Sequence, residues 1–144
     1  MHSLSLAHRD IKLDNIVANE DLSQIKFIDF GLCLDISEMN SKESRRFCGT
    51  TSYMAPEVVT GNCIDPKKAD IWSLGIVLYA LAVGRTPFKA RVEEDIYNKI
   101  KNCKTVFPNN IEEKLKSLLG KMLEKKPEER PSIFEVLHHD WMTV

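Results

Sequence analysis

With 144 residues, 43% hydrophobic and 28% charged, the chain has the balance of one ordinary globular domain with room for a sizeable core. Its 20 basic and 21 acidic side chains leave a formal charge of −1 with no long run of one sign, which argues against nucleic acid or an anionic membrane as partner. The most apolar stretch, Ile71 to Val83, is interrupted by Ser73 and Gly75 and falls short of the ~20 residues of a membrane span.

Taken in chain order, Ile16–Ala18 and Ile25–Ile28 are short apolar runs around a polar connection, which predicts a small β-hairpin. Beyond it the body is expected to be helical. Gly31 to Tyr53 is a polar stretch longer than ordinary connections, and such segments inside compact domains are usually functional or disordered. Cys33, Cys48, Cys63 and Cys103 lie far apart without a C-x-x-C pair, which disfavours a zinc site and fits free thiols. Ala69–Val83 is apolar nearly all round, as expected of a helix at the centre of a core. Ile111, Leu115, Leu118, Leu119, Met122 and Leu123 form an amphipathic helical stripe. Ser132 and Glu135 have capping-box spacing, opening a last helix toward Trp141.

The chemistry sits at His8-Arg9-Asp10-Ile11-Lys12-Leu13-Asp14-Asn15, an acid, a base and an amide at fixed offsets on one loop before a strand. This run resembles the protein-kinase catalytic loop; Asp29-Phe30-Gly31 and Ala55-Pro56-Glu57 follow in the family's order, as does Asp70-Ile71-Trp72-Ser73-Leu74-Gly75. The resemblance covers essentially the whole chain. It implies a mainly α, kinase-like C-terminal lobe over residues 1–144, with helices around a central buried helix, a small β-hairpin at the catalytic loop, and no N-terminal lobe. Met1–Ala7 then resembles the end of a preceding helix.

The resemblance also implies roles. Asp10 would accept the hydroxyl proton and aim the nucleophile, and Lys12 would offset charge on the transferring phosphoryl group. Asn15 and Asp29 would hold Mg²⁺, and Val17 would lie under the adenine of ATP. His8 would be a core histidine beneath Phe30. Thr50 would bridge Asp10 and Lys12, Asp70 would hold the catalytic-loop backbone, and Glu57 would pair with Arg130. Lys12 and Thr50 together resemble the serine/threonine pattern. Ile76–Leu81 and the ending Leu137–Met142 look most like the calmodulin-dependent and AMP-activated group.

Two departures stand out. None of the six glycines makes a G-x-G-x-x-G loop. At the usual phosphothreonine position of the activation loop stands Arg46, a cation that cannot accept phosphate; Ser44 is the nearest hydroxyl and the alternative phosphorylation site. The expected function is transfer of the ATP γ-phosphate, with Mg²⁺, to Ser or Thr hydroxyls of intracellular proteins, cytoplasmic or nuclear, with a glycine-rich lobe supplied from elsewhere. The alternative is a catalytically inactive kinase lobe that acts as a binding or regulatory module.

Overall fold

The computed structural model describes residues 1–103 and 105–143, so the expected boundary at Val144 lies outside the described residues. A 3₁₀ turn at His2–Leu4 leads into β1 (Leu6–Ala7), and a second at Leu13–Asn15 leads into β2 (Ile16–Ala18). β3 (Ile25–Phe27) pairs antiparallel with β2 in the register Ile16↔Phe27, which forms the expected hairpin. Ile28 falls just outside the strand, its N–H donating to the Asn15 carbonyl at 2.9 Å. β4 (Leu34–Asp35) then returns to pair antiparallel with β1.

The helices are α1 (Ser41–Ser44), α2 (Pro56–Val59), α3 (Pro66–Val83), α4 (Glu93–Asn102), α5 (Glu113–Met122) and α6 (Ile133–Leu137). α3 begins at Pro66, whose missing N–H costs nothing in the first turn, and Asp65 caps it by accepting from the Lys67 N–H at 2.9 Å. It stops at Gly84, at φ 79°, a left-handed conformation that glycine adopts without steric penalty. α6 opens on the Ser132–Glu135 capping box, with both reciprocal bonds present.

The core surrounds α3. Trp72 and Ile76 pack with Ala55, Phe88, Ile100 and Leu123; Ile71 packs with Leu118, Met122 and Val136; Tyr79 packs with Leu115 and Leu119. Burial on several sides as far as Ala80 explains the apolar composition of α3, while Leu81 in its last turn is exposed. The Tyr79 hydroxyl is satisfied by the Val106 carbonyl at 2.7 Å.

The expected fold class requires correction. A mainly α lobe with one hairpin does not describe the chain: among the described residues two separate antiparallel sheets stand beside the helices, and Met1–Ala7 holds a 3₁₀ turn and a strand rather than the end of a helix. The missed β1–β4 pair consists of two-residue strands far apart in sequence, too short to show any periodicity of their own. α4 was also not foreseen, since only Ile100 in it is fully buried.

Candidate active site

The catalytic loop is held from beneath by Asp70 on α3. Its Oδ2 accepts from the His8 N–H at 2.8 Å and lies 2.9 Å from His2 Nε2, and its Oδ1 accepts from the Arg9 N–H at 2.8 Å. Arg9 sits at φ 66°, a conformation disfavoured for a side chain of its size, and the Asp70 carboxylate helps to hold it there. His8 is buried; its Nδ1 accepts from the Asp10 N–H at 3.3 Å, which leaves Nε2 to donate to the Ile28 carbonyl at 3.2 Å. Its ring packs 5.3 Å from Phe30 and 5.7 Å from Phe27. Both ring nitrogens of His8 are thus engaged within the protein.

Asp10, Lys12, Asn15 and Thr50 converge. Asp10 Oδ1 accepts from Thr50 Oγ1 at 2.8 Å, while Oδ2 accepts from Asn15 Nδ2 at 3.1 Å and pairs with Lys12 Nζ at 2.9 Å. Lys12 Nζ also donates to Thr50 Oγ1 at 2.8 Å, so the threonine hydroxyl links acid and base. Burial pushes the Asp10 carboxyl up, but the hydrogen bonds from Lys12, Thr50 and Asn15 and the Lys12 charge outweigh it and hold the group below its usual range. Lys12 is held above its usual value, chiefly by its hydrogen bond to Asp10. The pair is ionised at neutral pH.

Gly49 allows this approach. It sits at φ 105°, and a Cβ there would lie 2.8 Å from the Arg9 carbonyl oxygen, so any larger residue would push Thr50 away from Asp10. Neither Gly49 nor His2 was singled out from sequence. A glycine before the threonine was the one available signal; nothing local marked His2 as a partner of Asp70.

Asn15 and Asp29 flank the hairpin on the same side, Asn15 just before β2 and Asp29 two residues after β3. Asn15 is 6% exposed, and its amide nitrogen is committed to both the carbonyl and the carboxylate of Asp10, so its Oδ1 is the end left for a cation. Asp29, exposed and at φ 60°, accepts from the Gly31 N–H at 3.2 Å. Among the described residues no three His, Cys, Asp or Glu side chains converge on a metal position. Two hard oxygens from one amide and one carboxylate fit Mg²⁺, which takes few protein ligands and completes its shell with phosphates and water. Val17, 43% exposed on β2, offers an apolar surface beside them.

Glu57 and Arg130 form a buried bidentate pair at 2.7 and 3.1 Å. The guanidinium lies 5.2 Å from the Trp72 ring centroid and also donates to the Lys68 and Glu124 carbonyls. Ser44, by contrast, is 5% exposed at the end of α1, so a modifying enzyme could reach its hydroxyl only after α1 opened.

The chain matches the protein kinase domain family over residues 1–142. It is 38% identical over 144 residues to "Probable serine/threonine-protein kinase CCRP1" of Zea mays, covering 99% of this chain and 23% of that protein. It is 33% identical over 141 residues to the SNF-related serine/threonine-protein kinase of Homo sapiens (98% and 18%), and 37% identical over 144 residues to the serine/threonine-protein kinase polo of Drosophila melanogaster (99% and 24%). The chain thus spans about a quarter of the length of these relatives or less. An SNF-related kinase among them agrees with the likeness to the AMP-activated group. The family match is to the kinase domain without distinction of lobe, so the assignment to a C-terminal lobe is withdrawn along with the single-hairpin fold. By its motifs, its matched residues and its relatives, this chain belongs to the protein kinase family, on its serine/threonine side.

Proposed function

We propose that the protein transfers the γ-phosphoryl group of ATP, with Mg²⁺, to serine or threonine hydroxyls of other proteins inside the cell, with residues 1–144 forming part of one kinase domain. The observation that carries this reading is the closed network of Asp10, Lys12, Thr50 and Asn15, in which every polar group has a task that phosphoryl transfer needs. When bound, ATP supplies the phosphoryl group and Mg²⁺ neutralises its charge. Asn15 Oδ1 and Asp29 would ligate the metal, and Val17 would face the base.

Asp10 is held below the usual carboxylate range, so it is a weak base. Its first task is to orient the acceptor hydroxyl, and it takes the proton late, when bond formation has made that hydroxyl acidic. Lys12, locked to both Asp10 and Thr50, presents a fixed positive charge near the developing phosphoryl charge, with no reorganisation needed during the reaction. Asp70 acts on the catalytic-loop backbone and touches no substrate.

The family's glycine-rich loop is not among these 144 residues, and transfer needs the phosphates held from both sides. The purified 144-residue chain is therefore expected to show little or no turnover. The protein isolated from its source cells is expected to phosphorylate a general protein substrate such as casein, at an ordinary rate of roughly 1–100 s⁻¹. Asp10→Ala should lower that rate by about 10³-fold or more. Unchanged transfer by the variant, or none by the isolated protein, would overturn the kinase reading.

The second reading, a binding module without turnover, draws on the same missing loop and on Ile28 and Phe30, which are 41% and 53% exposed beside Val17. On that reading the protein from source cells would bind kinase substrates or regulators without transferring phosphate. Ser44 remains a proposed phosphate acceptor only for a state in which α1 has opened.

A further inference from the structure

Arg9 carries a guanidinium with an unusual set of partners. Its Nε donates to the Leu32 carbonyl at 2.7 Å, in the segment just before β4, and its Nη1 donates to the Glu43 carbonyl at 3.1 Å, in the last turn of α1. One side chain thus joins the catalytic loop to both ends of the 31–44 segment. Its own backbone is fixed in turn by Asp70.

α1 is four residues long, far too short to persist by itself. Two features support it. Asn40 caps its start, Oδ1 accepting from the Lys42 and Glu43 N–H groups at 3.0 Å each, while Glu43 Oε2 accepts from the Asn40 N–H at 3.1 Å. At its other end the carbonyls carry partial negative charge, and the Arg9 cation meets one of them. Ser44 is tucked inside, and Arg46 stands exposed where the family resemblance leads one to look for a phosphothreonine.

We propose that this segment is held in its ordered conformation by a phosphate-free clasp: the Arg9 guanidinium donates to two backbone carbonyls, and the Asn40–Glu43 capping box presents the second of them. Asn40 and Glu43 are positioning residues, acting on the loop through α1 and Arg9. The consequence for regulation rests on the kinase reading, since only there does an ordered segment mean readiness for substrate; the clasp itself does not. In that setting the site would be switched by what opens α1, and modification of Ser44 would follow opening rather than cause ordering.

The test is amide hydrogen exchange on the purified chain, shown by intact mass to carry no phosphate, with the α3 amides as internal reference. In the wild type, amides 42–46 should be protected. In Asn40→Ala/Glu43→Ala they should exchange about fivefold faster, with α3 unchanged, and trypsin should cut faster at Lys42, Arg45 and Arg46. Asn40→Asp, which keeps the capping oxygen, should behave as wild type; the single Asn40→Ala replaces the double variant if the latter loses α3 protection. Exchange of 42–46 at the rate of an unstructured chain, equal protection in the capping variants, or protection that appears only after phosphorylation would each overturn the clasp. Because no readout depends on turnover, loss of the kinase reading in the Asp10→Ala assay and loss of the clasp are separate outcomes.

Discussion

Arg130 lies in the core with Glu57 across from it, and each depends on the other to be there. Removing the cation alone strands a buried carboxylate and frees the Lys68 and Glu124 carbonyls, so Arg130→Ala should cost about 3–5 kcal/mol, read as a drop in the urea midpoint. Replacing both partners by apolar residues of similar size, Glu57→Leu with Arg130→Met, should recover a large part of that loss, because no charge is then left without a partner. Such recovery would show that the pair positions the 55–57 segment more than it adds stability. Asp70 shows the same logic at the catalytic loop, where one carboxylate satisfies two backbone N–H groups and a histidine. Glu57, His8, Arg9 and Asp70 fall within the quoted motifs, whereas Arg130 was reached only through the family resemblance. His2 was not legible, since a lone histidine in a short turn has no pattern to betray its partner.

At Gly75, α3 comes close to the C-terminal end of α5 and to the Leu123 that follows it. A Cβ there would lie 3.0 Å from both Met122 Cβ and Leu123 Cδ2, tighter than ordinary contact. Gly75→Ala should therefore destabilise the protein by about 1–3 kcal/mol despite the gain in helix propensity, and a thermal melt would show it. A rise in melting temperature would mean that α5 can move aside. Helices with strong signals were read well from sequence: α3 from its all-round apolar composition, α5 from its stripe, and α6 from its capping box. The elements that escaped are very short or, like α4, bury little of their surface. β1 and β4 are two residues each and exist because they pair with one another. α1 is a single turn, bounded by the Asn40–Glu43 capping box and met at its end by Arg9.

Over the whole molecule, Val17, Ile28 and Phe30 on and after the β2–β3 hairpin each leave apolar side chain exposed. Exposed apolar surface promotes association. The purified chain is expected to self-associate at micromolar concentration, with Val17→Ser/Ile28→Ser reducing the apparent mass in light scattering; a strictly monomeric wild type would show that this surface is covered in some other way. The sequence by itself determined the family, and it picked out Asp10, Lys12, Asn15 and Thr50, which the fold brings together, and the buried helix α3. It could do so because motif spacing and helical periodicity are local properties, written within a few residues. Only the tertiary structure decided that a second sheet, β1–β4, accompanies the hairpin among the described residues, that Gly49 must come within contact of the Arg9 carbonyl, that Ser44 is buried, and that Arg9 donates to the Leu32 and Glu43 carbonyls. Each of those depends on segments distant in the chain being packed together, and burial and backbone hydrogen bonding at a given residue are set by what arrives there from elsewhere.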